Sequence, residues 1–300
     1  MSDKNPISHE KISFTGVSGS RLAADLFGAT GGPTVVLAHG GGQTRHSWRG
    51  TAERLAALGW TAITLDQRGH GDSAWSEEGA YAFEDFAGDM TCVADQVLER
   101  YGKRPVAIGA SLGGIASLLA QGECERDVLA AVVLVDITPR VKMSGVDKIR
   151  GFMSEHVEDG FGSLEEAADA IGRYLPHREK PKDLSGLSKN LRLHDDGRYR
   201  WHWDPRFITD RFKGATRSDT EDRLEAAARR LTVPVLLVRG AKSELVDEEV
   251  AREFLEMVPH AKYADVGDAR HMVAGDKNDA FTHAVVQFLE EMHAHESAVS

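Results

Sequence analysis

Gly109-Ala110-Ser111-Leu112-Gly113 is the most informative segment of the sequence. A short apolar run, Val106-Ala107-Ile108, precedes it, and a helix-like stretch from Ile115 to Ala120 follows it. A G-x-S-x-G pentapeptide between a strand and a helix forms a sharp turn with the serine exposed at the strand end. Small neighbours are needed because the turn crowds the adjacent backbone. The free N–H groups of the following helix point at the same place, so Ser111 is predicted to be a nucleophile.

Composition narrows the class of protein. The chain has 300 residues, of which 41% are hydrophobic and 28% charged, which is typical of a globular protein with a sizeable core. The net charge of −11 argues against nucleic acid or an anionic membrane surface as a partner. Cys92 and Cys124 do not form a disulfide framework or a C-x-x-C motif, which favours a reducing compartment.

No targeting or membrane segment is evident in the sequence. Residues 1–6 lack the apolar core of a secretory signal. No apolar stretch approaches the roughly 18 residues that a membrane span requires. We therefore expect a cytoplasmic protein without a membrane partner.

Strand-like and helix-like segments alternate along the chain from residue 33 onward. The strand-like runs are continuously apolar, as expected for a parallel sheet with helices on both faces, and comprise Thr34–Ala38, Thr61–Leu65, Val106–Ile108, Val132–Val135 and Val235–Val238. Helical spacing predicts helices at about 48–58, 83–100, 247–257 and 281–292. Ile12–Phe14 and Leu22–Phe27 predict a leading antiparallel hairpin.

One segment interrupts the alternation. Residues 140–230 show no good strand run, but Leu164–Tyr174 and Thr220–Arg230 are helix-like. About 90 residues between consecutive strands is far too long for a loop. We therefore expect a helical insertion over the strand ends, called here the cap segment (residues 140–230). Residues 1–139 and 231–300 are expected to form the core.

Several motifs in a fixed order resemble the α/β-hydrolase fold, from residue 11 to residue 292. They are His39-Gly40-Gly41-Gly42, the stretch Asp66–Ser73, the Ser111 turn, the turn Gly240–Glu244 and the late His271. The resemblance implies a mostly parallel eight-stranded sheet with helices on both faces and a helical cap inserted before the penultimate strands. It also implies a catalytic triad in the order serine, acid, histidine. Asp66–Ser73 would be a structural turn in which Arg68 and Asp72 can pair.

The resemblance assigns a role to each triad residue. His271 would take the Ser111 proton and pass it to the leaving group. The acid has three candidates. Members of the fold usually place an aspartate shortly after the glycine that ends the penultimate strand, and Glu244 stands there as a departure from that pattern. Some members take the acid from the end of the preceding strand, which makes Asp136 the alternative. Asp247 is a third candidate that would serve equally well as a helix cap.

Further site residues follow from the same resemblance. The backbone N–H groups of Gly41 and Leu112 would form the oxyanion hole. The aromatic cluster Trp201, His202 and Trp203, with Phe152, is predicted from the residues themselves to form either a substrate wall or only the apolar underside of the cap segment. His39 and His70 are predicted to be structural groups near the site. No histidine spacing indicates a metal centre, and no glycine-rich loop matches a phosphate- or dinucleotide-binding motif, so neither a metal nor a cofactor is expected.

The function expected from these residues is that of a cofactor-independent serine hydrolase. Its substrate would be a small-molecule carboxylic ester or lactone with an apolar portion. Alternatives are perhydrolase-type activity or carbon–carbon bond hydrolysis with the same triad, and a non-catalytic member of the fold that binds a small ligand. Epoxide hydrolysis in this fold requires a carboxylate where Ser111 stands. The sequence leaves the oligomeric state open, with a homo-oligomer as one alternative.

Overall fold

A computed structural model of the protein describes residues 9–176, 183–209, 217–267, 269–271 and 278–299. Eight strands form one sheet, and they are β1 (His9–Thr15), β2 (Arg21–Phe27), β3 (Thr34–Ala38), β4 (Thr61–Leu65), β5 (Val106–Ala110), β6 (Ala131–Val135), β9 (Val235–Gly240) and β10 (Lys262–Val266). The spatial order is β1-β2-β4-β3-β5-β6-β9-β10. Only the β1–β2 and β2–β4 pairs of this sheet are antiparallel. The predicted fold class is confirmed.

Helices cover both faces of the sheet. The core helices are α1 (Arg49–Ala57), α2 (Phe83–Tyr101), α3 (Leu112–Gly122), α8 (Glu248–Met257) and α9 (Asn278–Val299). Leu55 of α1 and Phe281 of α9 pack in one apolar layer, and α2, α3 and α8 pack in the other. Every residue of β3, β4 and β6 is buried, which is why these strands have no polar face. None of the described helices is long and apolar enough to cross a membrane.

Two helices differ from their predicted bounds. A 3₁₀ turn over Arg45–Trp48 precedes α1, and α9 continues well beyond the predicted residue 292. Asp247 accepts a hydrogen bond from the Val250 N–H at 2.9 Å and caps α8. The third acid candidate is therefore the helix cap that the sequence allowed.

The cap segment contains helices α4 (Met143–Ser154), α5 (Leu164–Tyr174), α6 (Arg206–Thr209) and α7 (Arg217–Arg229). It also contains a hairpin, β7 (Leu191–Leu193) with β8 (Tyr199–Trp201), which the sequence did not predict. Each of these strands has three residues and includes an arginine, so neither forms an apolar run. The division into a core and a separate cap stays a prediction.

The end of the hairpin is tied to the turn after β4. The Asp204 N–H donates to the Gly69 carbonyl and the Gly71 N–H to the His202 carbonyl, both at 2.8 Å. The Tyr81 hydroxyl donates to the buried Asp204 carboxylate at 2.6 Å. These contacts fix the stretch from 202 to 204 against the core beside the carboxyl ends of the strands.

Candidate active site

Ser111 occupies a strained turn between β5 and α3. Its backbone has φ 47° and ψ −110°, and φ lies in the left-handed region that non-glycine residues rarely adopt. A Cβ on Gly109 would overlap the Gly113 backbone, and one on Gly113 would overlap the Ala38 carbonyl. The two glycines therefore allow α3 to start directly against β3 and β5, which leaves Ser111 half-buried at the edge of a cavity.

His271 and Asp136 meet at the same edge of the sheet. Asp136 follows β6, the strand beside β5, and His271 lies beyond the edge strand β10. The His271 Nδ1 lies 2.8 Å from the Asp136 Oδ2, and the Asp136 carboxylate is fully buried. With Nδ1 engaged by a carboxylate, Nε2 is the ring nitrogen left to act on another group. His271 and Ser111 line one cavity.

Two further groups hold the Asp136 carboxylate. The Gly240 N–H donates to Oδ1 at 3.1 Å, and the Ser243 hydroxyl donates to Oδ2 at 2.5 Å. The Ser243 oxygen in turn accepts from the N–H groups of Leu245 and Val246 at 3.0 and 3.1 Å. Ser243 was missed at the sequence level. A serine shortly after the glycine of the penultimate strand was the only available signal.

Glu244 does not contact His271, which corrects the expected pairing. Its carboxylate lies 3.2 Å from the Lys148 Nζ and 2.9 Å from the Arg270 Nη1. The turn closed by the Ser243 N–H and the Gly240 carbonyl presents residue 243 to Asp136 and turns residue 244 outward. Partial burial alone would raise the pKa of Glu244, but Lys148 and Arg270 outweigh it and hold that pKa below its ordinary value.

The loop after β3 leaves one backbone donor unused. The Gly40 N–H donates to the Gln43 Oε1 at 3.1 Å, the Gly42 N–H to the His70 Nε2 at 3.1 Å, and the Gln43 N–H to the Gly40 carbonyl at 3.1 Å. Within the described ranges the Gly41 N–H has no such partner. The Leu112 N–H is likewise free of an intrahelical bond because Leu112 is the first residue of α3. Both residues line the cavity.

Two buried histidines fix this loop. The His39 Nε2 accepts from the Gln67 N–H at 3.1 Å, so Nδ1 carries the proton and donates to the Gly40 carbonyl at 2.8 Å. The His70 Nε2 accepts from Gly42, so its Nδ1 donates to the Arg68 carbonyl at 2.9 Å. Burial lowers the pKa of His39, although the nearby Asp66 acts in the opposite direction. The lowered pKa keeps the ring neutral.

In the turn from Asp66 to Ser73, the side chains of Arg68 and Asp72 form different ion pairs from the one predicted. Arg68 bonds the Asp89 carboxylate at 2.6 Å instead of Asp72. Asp72 pairs with Arg45 at 2.9 Å and with Arg192 of the cap segment. The predicted Arg68–Asp72 pair is wrong because α2 supplies a carboxylate to Arg68 and the Asp72 side chain faces the cap segment.

A cavity of about 650 Å³ lies over Ser111 and His271. Apolar side chains from both parts of the chain make up most of its wall, including Phe83, Ile115, Ile137, Ile149, Met153 and Leu224. Trp201, Trp203 and Phe152 also line it, at the place where the sequence put the substrate wall. His202 is not among the residues that line the cavity. Its ring accepts a hydrogen bond from the Arg192 Nε at 2.8 Å on the other side of the extended chain.

In the described ranges no group of three or more His, Cys, Asp or Glu side chains is arranged to hold a metal ion.

The fold and this arrangement define an α/β-hydrolase-fold serine hydrolase. The family model Hydrolase_4, described as serine aminopeptidase, S33, matches residues 32–278, and the chain belongs to this family. A curated relative, esterase Rv0045c of Mycobacterium tuberculosis, is 28% identical over 258 residues, covering 84% of this chain and 81% of the relative. The 3-hydroxybutyrate-oligomer hydrolase of Cupriavidus necator is 25% identical over 261 residues, covering 84% and 87%.

Solved structures agree on the fold. The crystal structure of E-2-(acetamidomethylene)succinate hydrolase superposes with a TM-score of 0.79 at 22% identity, covering 94% of this chain and all of that one. A structure of the Mycobacterium tuberculosis esterase Rv0045c gives a TM-score of 0.74 at 24% identity, covering 96% and 93%. The family match and the relatives named as hydrolases show that the protein is an enzyme of the α/β-hydrolase class.

Proposed function

We propose that the protein hydrolyses a carboxylic ester or lactone through an acyl-enzyme on Ser111, with His271 as the base and Asp136 as the acid. The observation that carries the proposal is the buried 2.8 Å contact between Asp136 and His271, beside the strained turn that exposes Ser111 to the same cavity. An aspartate on Nδ1 holds the imidazole in the tautomer that presents Nε2 to a serine hydroxyl.

Each step then uses a group of this chain. The Ser111 oxygen attacks the carbonyl carbon while its proton passes to the His271 Nε2. The Asp136 carboxylate stabilises the resulting imidazolium. The tetrahedral intermediate collapses, the alcohol leaves with the proton from His271, and an ester on Ser111 remains. Water activated by His271 releases the acid in a second attack of the same kind.

Backbone donors support the oxyanion step. The Gly40 carbonyl is bound by the His39 Nδ1 and the Gln43 N–H. Because the carbonyl and N–H of a trans peptide unit point in opposite directions, the Gly41 N–H points away from those two groups. It remains available, with the Leu112 N–H at the helix start, to a developing oxyanion in the cavity.

The cavity favours an apolar substrate portion. Its volume and its largely apolar wall fit an acyl or alcohol group of drug-like size. The two curated relatives are named as an esterase and an oligomer hydrolase, which agrees with ester cleavage. An aminopeptidase would need a carboxylate for the substrate amine. Glu221 is the one acidic residue among the described lining residues, and it pairs with Arg217 at 2.6 Å.

The test is the rate of hydrolysis of p-nitrophenyl esters of increasing chain length and of simple lactones. Ser111→Ala is expected to lower kcat by about 10⁶-fold. Ser117→Ala is the matched control, since Ser117 lies on the same helix and bonds only the Gly113 carbonyl. The kcat of Ser117→Ala should stay within a few-fold of the wild-type kcat. Near-normal turnover in Ser111→Ala would exclude the mechanism, and inactivity of folded wild type on every ester would favour a ligand-binding role.

A further inference from the structure

One end of the cavity carries N–H donors that have no acceptor among the described residues. It lies between the loop after β3 and the β7–β8 hairpin, which are joined by a hydrogen bond from the Thr44 hydroxyl to the Asn190 side chain at 3.2 Å. Gln43, Trp201 and Trp203 line the cavity there. The mechanism proposed above uses none of their side chains.

Gln43 lines the cavity and carries an amide NH₂ group. Its Oε1 accepts from the Gly40 N–H, which fixes which branch of the amide is oxygen and which is nitrogen. Within the described part of the chain the Nε2 group donates to nothing. A Cβ on Gly40 would lie 3.3 Å from the Gln43 Oε1 and 3.5 Å from the Ser111 Cβ. The amide is therefore a close neighbour of the nucleophile.

Trp203 presents a second donor beside the same loop. Its indole Nε1 lies 3.7 Å from the position of a Cβ on Gly42, and the residue is 3% exposed. Among the described residues this N–H also lacks an acceptor. The backbone at 202 and 204 is bonded to the turn at Gly69 and Gly71, so the indole is fixed relative to the loop. The buried Trp201 N–H, two residues earlier, is unpartnered as well.

Unpaired donors in a mostly apolar wall are costly. The Trp201 N–H is buried without an acceptor among the described residues, so an oxygen atom bound beside it would satisfy it. Gln43 and Trp203 line the cavity, where a substrate oxygen can accept from their N–H groups. The donors at this end are uncharged, and the nearby Arg192 and Arg206 are paired with Asp72 and Asp204. The described cations of the cavity wall, Arg150 and Arg217, are also engaged with other groups, so a carboxylate would enter without a free cation, which is unfavourable. The fitting acceptor is therefore a neutral oxygen.

We propose that Gln43 and Trp203 form a donor subsite for a second, neutral oxygen of the substrate, such as a keto, ether or further ester oxygen close to the scissile carbonyl. The inference rests on the proposed ester hydrolysis and specifies its substrate class. The second oxygen can belong to the acyl part or to the alcohol part, and matched ester pairs distinguish the two.

The experiment compares kcat/KM within two pairs of esters of equal size. In the acyl pair, p-nitrophenyl 4-oxopentanoate is set against p-nitrophenyl 4-methylpentanoate. In the alcohol pair, 2-methoxyethyl butanoate is set against butyl butanoate. Each ratio is measured in wild type, Trp203→Phe and Gln43→Glu. Trp203→Phe keeps an aromatic ring without the N–H, and Gln43→Glu keeps the acceptor for Gly40 while removing the NH₂. Dividing the wild-type kcat/KM ratio of a pair by the variant ratio cancels the difference in intrinsic reactivity between the two esters.

We expect the preference for the oxygen-bearing ester to fall by about tenfold in both variants for at least one pair. Trp75→Phe makes the same change at an exposed tryptophan that is not among the residues lining the cavity, and it should leave that ratio within twofold of wild type. Ratios unchanged in both variants for both pairs, with all four esters hydrolysed, would overturn the subsite alone. Failure of wild type to hydrolyse any of the four, with Ser111 inert to a fluorophosphonate, would overturn the proposed function and the subsite together.

Discussion

Asp136 sits in a fully buried position and accepts hydrogen bonds from the Gly240 N–H, the Ser243 hydroxyl and the His271 ring. A buried carboxylate is tolerable when its oxygens are satisfied in this way. The same bonds prevent the side chain from turning, so the imidazole is oriented by a fixed partner. Glu244, by contrast, is partly exposed and neutralised by two cations.

The two acids should respond differently to loss of charge. Asp136→Asn is expected to lower kcat by about 10⁴-fold, because an amide stabilises the imidazolium poorly and favours the wrong tautomer. The kcat of Glu244→Gln should stay within a few-fold of the wild-type kcat. The measurement is steady-state ester hydrolysis with circular dichroism to confirm folding. A crippling Glu244→Gln with a silent Asp136→Asn would reverse the assignment.

Glu244 also predicts a pH dependence of stability. Because its pKa in the folded state lies below the ordinary 4.5, its ion pairs stabilise the fold above that pH and are lost as the pH falls through the lowered value. The difference in Tm between wild type and Glu244→Gln should therefore shrink between pH 7 and pH 3. A difference that stays constant over this range would contradict the ion-pair assignment.

Sequence patterns proposed Ser111, His271 and Gly41 as site residues and ranked Glu244 above Asp136 as the acid, whereas in the structure it is Asp136 that contacts His271. The ranking depends on a single position in a turn, because the side chain of residue 243 bonds Asp136 whereas that of residue 244 pairs with Lys148 and Arg270. No spacing rule resolves a single position in a turn. The same limit applies to His202, since side chains alternate along an extended chain.

At the scale of elements, the turn at Ser111 depends on close contact between α3 and the sheet. Gly113 allows that contact, since any Cβ there would overlap the Ala38 carbonyl, a backbone atom that cannot move aside easily. Continuous apolar runs predicted the buried strands, because burial on both faces leaves that signature. The three-residue strands of the hairpin leave none, which is why they were missed.

Gly113→Ala is expected to destabilise the protein by about 1–3 kcal/mol or to prevent folding, because the helix must move off the sheet. Gly151→Ala is the control, since Gly151 is in α4 with nothing within 4 Å of an added Cβ. It should be neutral or slightly stabilising. Denaturant unfolding measures both. Equal stability of the two variants would refute the close-contact argument.

At the scale of the whole molecule, polar contacts attach the cap segment to the core next to the cavity. Asp204 is buried and bonded by the Tyr81 hydroxyl and by Arg206. Asp72 connects Arg45 of the core with Arg192 of the hairpin. The length of the segment predicted an insertion over the strand ends. Which of its side chains face the cavity depended on this docking, which sequence patterns do not encode.

Tyr81→Phe tests the docking. Removing the hydroxyl takes one hydrogen bond from a buried carboxylate and should lower the free energy of unfolding by about 1–2 kcal/mol. Tyr101→Phe, a half-buried tyrosine on α2, is the comparison and should change it little. Denaturant titration of both variants measures the difference. Equal effects would show that the Tyr81–Asp204 bond does not stabilise the docked segment.

The most direct measurement is reaction of the folded protein with a fluorophosphonate, followed by peptide mapping of the adduct. The cavity wall also includes Ser47, which bonds the Thr44 carbonyl and provides an internal comparison. We predict one adduct, on Ser111, that is abolished in Ser111→Ala and formed far more slowly in Asp136→Asn. No adduct on the folded wild type, or an adduct on another residue, would contradict the assignment of Ser111 as the activated nucleophile.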